Sequence, residues 1–154
     1  MKQLTLAFFI AALILATSCN KVGSGNAASW SFEGSSYNAT TTSTIRGTLS
    51  STSTNGGTQT SVLSVAFPGD TLPKASATYS VHGDSAVAKG QVGITLSTNN
   101  GANQYWATAG NYGFNQSVDV TVSGGKVSIT GQGIEIKNVF PASDSAVLNF
   151  NITQ

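Results

Sequence analysis

Once residues 1–18 are set aside, six acids remain: Glu33, Asp70, Asp84, Asp119, Glu135 and Asp144. Two carboxyl groups about 5–9.5 Å apart would suit glycoside hydrolysis. Alternation through 117–139 puts Asp119 and Glu135 on one outward face, but two strands and two residues apart, roughly 12 Å between backbones. They read as solvated face residues, not as an acid–base pair. His82 is the single histidine. Val81-His82-Gly83-Asp84 offers two ligands, too few for a zinc site. A Ser–His–acid triad is a spatial arrangement, yet Gly-x-Ser-x-Gly is absent. So are a Walker A loop, a dinucleotide fingerprint and a calcium loop. His82 reads as an exposed turn residue. The expectation is a non-enzyme with no metal and no cofactor.

Binding chemistry is concentrated in Gln104-Tyr105-Trp106-Ala107 and Gly110-Asn111-Tyr112-Gly113-Phe114-Asn115-Gln116. An exposed indole can stack on a sugar ring while amides bond its hydroxyls. Alternation turns Tyr105 inward and Trp106 outward. Trp106, Tyr112, Phe114 and Asn111 are therefore the candidate ligand-binding residues, for a glycan or small apolar ligand. The competing reading is that the aromatics simply close the edge or end of a core.

Three of the four aspartates open a pattern of Asp, hydroxyl, apolar: Asp70-Thr71-Leu72, Asp84-Ser85-Ala86 and Asp144-Ser145-Ala146. Asp-Ser and Asp-Thr are also common turn starts. The triplet resembles the acceptor motif of a general O-glycosylation system of Gram-negative bacteria that modifies exported lipoproteins. That resemblance implies Thr71, Ser85 and Ser145 as acceptors, each between expected strands.

Cys19 is the only cysteine, so no disulfide can form within the chain. A lone cysteine in an exported protein calls for another explanation. Lys2 followed by an apolar run, Leu4 to Ala16, has the layout of a signal peptide. As a helix that run spans roughly 20 Å, short of a bilayer core of about 30 Å. Ala16-Thr17-Ser18-Cys19 resembles the lipobox of bacterial lipoproteins, with Ala16 where that family usually has Leu. The resemblance implies cleavage before Cys19 and acylation of its thiol, with fatty acyl groups such as palmitate. The mature protein would then reach the membrane through its N-terminal lipid. Asn20-Lys21-Val22 carries no acid, so the periplasm-facing outer membrane is the expected location, with the cell surface as the alternative.

These residues need elements to hold them. Charged residues make up 8% of the 154-residue chain, against roughly 25% in typical domains. Loss of 1–18 removes Lys2 and leaves six basic and six acidic residues. With no basic run, nucleic acid is not an expected partner. The segment 19–28 reads as a flexible tether, and 29–154 as one β-domain. From Trp30 onward the apolar period is two: Leu63-Val65-Phe67, Val92-Ile94-Leu96, Val118-Val120-Val122 and Leu148-Phe150-Ile152. Half-buried antiparallel strands alternate in this way.

Glycine-containing turns predict the pairing. Gly124-Gly125 would set Val122 against Val127 and Val120 against Ile129. Gly131-Gln132 would close a second hairpin, Ile129 against Ile134. Gly34-Ser35 would oppose Phe32 to Tyr37, and Asn100-Gly101 would oppose Leu96 to Tyr105. Ser50 to Gly57 lacks an apolar anchor and reads as a mobile loop. About eight to ten short strands suggest a single antiparallel β-sandwich, immunoglobulin-like or jelly-roll, after an N-terminal signal helix. A lipocalin-like barrel is the alternative. The mature chain resembles small all-β cell-envelope lipoproteins. The expected role is a non-catalytic β-domain, structural or bound to an envelope protein; the alternative is a glycan- or small-ligand-binding module using 104–116.

Overall fold

The computed structural model describes residues 28–55, 59–86, 88–107, 115–139 and 145–154. The expected signal segment with its helix, Cys19, and Asn111, Tyr112 and Phe114 lie outside the described residues. Ala28, expected to end the tether, instead opens the first strand and is buried.

Among the described residues, eleven strands follow in chain order. They are β1 (Ala28–Phe32), β2 (Ser35–Asn38), β3 (Thr41–Ile45), β4 (Thr48–Asn55), β5 (Gln59–Ala66) and β6 (Ala77–Val81). Then come β7 (Gln91–Thr98), β8 (Asn103–Ala107), β9 (Ser117–Ser123), β10 (Lys126–Asn138) and β11 (Ser145–Thr153). Alternation decides the faces as expected. Val118 and Val120 of β9 are buried while Asp119 and Thr121 are exposed; Leu148, Phe150 and Ile152 of β11 are buried while Val147, Asn149 and Asn151 are exposed.

The fold is all-β, built on one 11-stranded sheet in the order β2-β1-β11-β10-β9-β6-β7-β5-β4-β3. The sheet is mixed and not purely antiparallel, because β6 and β7 run parallel. Strand β8 pairs with both β10 and β7. Those two strands are thus bridged by β9 and β6 at one end and by β8 at the other. The two edges of the order, β2 and β3, are joined by Ala39 and Thr40 alone. The Ala39 N–H donates to Ala28 at 2.9 Å and the Thr40 N–H to Thr52 at 2.7 Å. The run 35–45 therefore lies first on β1 and then on β4.

All inward faces feed one apolar cluster, from Trp30 and Phe32 through Leu49, Leu63 and Ile94 to Ile129 and Leu148. Phe32 of β1 meets Tyr105 of β8 edge-on, ring centroids 4.6 Å apart, although β11 and β10 separate the two strands in the sheet. Each fully buried Leu or Ile in such a core contributes about 1.5–3 kcal/mol.

Two expected registers hold. Val122 faces Val127 and Val120 faces Ile129 around Gly124-Gly125. Leu96 faces Tyr105, around a four-residue connection in which Asn99, Asn100 and Gly101 all have positive φ. A third shifts by two residues. The turn is Glu33-Gly34, both at positive φ as a type I′ turn requires, so Trp30 faces Tyr37 and Phe32 faces Ser35. The inward face is preserved.

Two expectations fail. Gly131-Gln132 does not turn the chain: β10 runs on to Asn138, with a bulge between Gly131 and Ile134. Strand β11 pairs with both halves of β10, and the Phe150 ring occupies the space a Gly131 side chain would need. Ser50–Asn55 is not a loop but the body of β4, paired along its length with β5. Ser51 and Ser53 face the interior, and the Ser51 hydroxyl meets that of Thr42 at 3.0 Å.

Candidate functional site

Strand β8 follows the turn at Asn99–Gly101, and its register against β7 decides which aromatic is presented. Tyr105, opposite Leu96, is buried. Trp106, opposite Thr95 on one side and Lys137 on the other, is 42% exposed on the outer face. Beside it lies a groove of about 200 Å³ whose lining includes Val62, Ser64, Thr95, Ser97 and Gln104. The Ser64 hydroxyl already meets Ser50 at 2.8 Å. The Gln104 carbonyl is held by the Val139 N–H at 2.8 Å, which fixes the backbone beneath the Gln104 side chain. The arrangement couples one flat apolar ring to hydroxyl and amide groups that both donate and accept.

Of the four residues expected to bind ligand, Trp106 is thus placed on an open outer face. Asn111, Tyr112 and Phe114 lie outside the described residues. Ser64, Thr95 and Ser97 escaped sequence reasoning. The Asn100-Gly101 turn carried the signal for Thr95 opposite Trp106, but nothing local places β5 beside β7.

Thr71 is exposed in the connection between β5 and β6. Its backbone lies against Gly47, where a side chain would collide with Gly69 and crowd Thr71. Ser85 is exposed between β6 and β7, with its hydroxyl donating to Asp84 at 3.2 Å. The backbone of Asp84 and Ser85 fills the space above Gly93. Ser145 is exposed and is the first residue of β11, opposite Lys137, not a loop residue. Asp144 lies outside the described residues.

Comparison with known protein-family models, curated proteins and solved structures finds no match.

The groups considered for catalysis are dispersed. Asp119 faces Thr130, five residues before Glu135 on β10, and accepts from the Thr78 hydroxyl at 2.8 Å. His82 is half-buried just past β6, with its backbone N–H on Val92 at 2.8 Å. Among the described residues, no three His, Cys, Asp or Glu side chains come together as metal ligands would.

Proposed function

We propose that this protein is a lipid-anchored cell-envelope protein whose non-catalytic β-domain binds a hydroxyl-rich ligand, a glycan, on its outer face at Trp106. The observation that carries this reading is the exposed indole beside Gln104, Ser64, Thr95 and Ser97. At 42% exposure the indole leaves part of its face open for a sugar ring to stack on. On this reading the sheet is a flattened barrel, the sandwich-like form in which the run 35–45 joins the two edges. The lipid on Cys19 would hold it at the outer membrane, facing the periplasm. Thr71 and Ser85, exposed on pinned loops, and Ser145 would be O-glycosylation acceptors.

Two measurements test the proposal. A Cys19→Ala variant should move from the membrane to the soluble envelope fraction; unchanged detergent partitioning removes the anchor. In a Trp30→Phe background, where Trp106 is the one remaining tryptophan, emission should shift when a neutral oligosaccharide is added. Emission from Trp106 that the oligosaccharide leaves unchanged removes the site, and capture of an envelope protein through the same face in place of glycan favours the partner-binding alternative.

A further inference from the structure

A second groove, of about 520 Å³, crosses the outer face of β2, β1, β11 and β10. Its construction follows from register. Tyr37, Trp30, Phe150 and Gly131 form one cross-strand row. Trp30 and Phe150 are turned into the core, with Tyr37 stacked on Trp30 at 5.5 Å. The groove follows this row. One bank is the next row along: Asn38, Ser29, Asn151 and Thr130, paired in that order. The other bank is Ser36, Ser31 and Asn149, with Gln132 at the bulge. The banks stand two residues apart, about 7 Å, and the groove spans four strands, about 14 Å.

The chemistry of the banks is uniform. All eight are hydroxyl or amide side chains, and the twelve lining residues include no carboxylate, ammonium or guanidinium. Hydroxyls and amides both donate and accept. Asn149 is oriented by the Gly133 N–H, which donates to its Oδ1 at 2.8 Å, leaving its NH2 as a donor. An anionic ligand would lose hydration here with no countercharge among the lining residues, and would meet Asp119 opposite Thr130 at one end. An apolar ligand would cover polar atoms and leave them unpaired. A neutral chain with hydroxyls along both edges meets neither penalty.

We propose that this groove is a second binding site, separate from Trp106, for a neutral oligosaccharide chain lying across the strands. The occupant is recognised by hydrogen bonds from both banks, and its length runs from β2 to β10.

The test uses the full chain in detergent, labelled with 15N, and three neutral probes: cellohexaose, maltohexaose and chitohexaose. At least one should shift the side-chain amide signals of Asn38, Gln132, Asn149 and Asn151. Ser31→Trp, which fills the groove from an outward position, should weaken that binding tenfold or more. Asn151→Ala, which removes one amide from the opposite bank, should weaken it severalfold and keeps the test decisive should Ser31→Trp fail to fold. Trp106→Ala should leave the shifts unchanged, so loss of the Trp106 site and loss of this one are read separately. The proposal is overturned if none of the three probes moves these signals. It is equally overturned if Asn151→Ala binds as tightly as the unaltered protein, or if the acidic hexagalacturonate binds as well as the neutral chains.

Discussion

The side-chain amide of Gln116 pairs with the backbone of Glu135 as a neighbouring strand residue would. Its Nε2 donates to the Glu135 carbonyl at 3.2 Å, and its Oε1 accepts from the Glu135 N–H. The Gln116 carbonyl meanwhile accepts from the Val81 N–H at 2.9 Å. Gln116 thus fills the place on β10 between the part that pairs with β9 and the part that pairs with β8. Replacing it with Ala leaves two backbone groups of Glu135 without these partners. Each part-buried group left unpaired costs about 1–3 kcal/mol. Urea unfolding of Gln116→Ala should show a loss within or above that range. A loss below about 0.5 kcal/mol, the scale of an ordinary surface change, would mean that water replaces the amide without penalty.

Ser61 predicts the opposite sign. Its hydroxyl is buried, with no hydrogen-bond partner among the described residues. Ser61→Ala removes a desolvated polar group at nearly constant volume, so stability should rise by about 1 kcal/mol. A fall of that size in thermal unfolding would show that the hydroxyl is bonded after all.

Gly93 should not tolerate a side chain. A Cβ there would run into the backbone of Asp84 and Ser85, which cannot move aside as a flexible side-chain tip could. The same segment is tied to β7 by the Ile94 N–H, which donates to Gly83 at 2.9 Å. Gly93→Val should cost about 1–3 kcal/mol, as overpacking does, and should raise protease cleavage near Ser85. Unchanged cleavage and stability would mean that the loop does not rest on β7.

The two tryptophans should behave as different residues. Trp30 is 3% exposed and Trp106 is 42% exposed. Acrylamide should quench Trp106 and spare Trp30, so Trp106→Phe should remove the accessible emission. Trp30→Ala should cost about 3–5 kcal/mol, the range for truncating a core aromatic, while Trp106→Ala should cost under about 1 kcal/mol. Similar losses at both positions would contradict the outward placement of Trp106.

Intact-mass measurement of the native protein tests the proposed acceptor triplets. Hexose-scale additions should fall stepwise across Thr71→Ala, Ser85→Ala and Ser145→Ala. A mass of polypeptide plus lipid alone would leave Asp-Thr and Asp-Ser as turn residues only.

Local chemistry settled the β class, the period-two faces and the hairpins whose turns are self-contained. Gly124-Gly125 and Asn100-Gly101 bring together residues close in the chain, so the register of Val122 with Val127 and of Leu96 with Tyr105 was legible from sequence, and with it the outward placement of Trp106. The remainder depended on partners distant in sequence. Gly131-Gln132 has the local signal of a turn, but β11 pairs across it, and the Phe150 ring needs the space that glycine leaves. Ser50–Asn55 lacks apolar residues, yet becomes a strand because β3 and β5 supply its backbone hydrogen bonds and the serines are small enough to face the core. Sequence likewise named Trp106 but not Ser64 beside it, and it gave no sign that Asn38, Ser31 and Asn149 share one groove. Alternation specifies which way a side chain points; only the tertiary pairing of β1 with β11, and of β5 with β7, decides which side chains point at the same place.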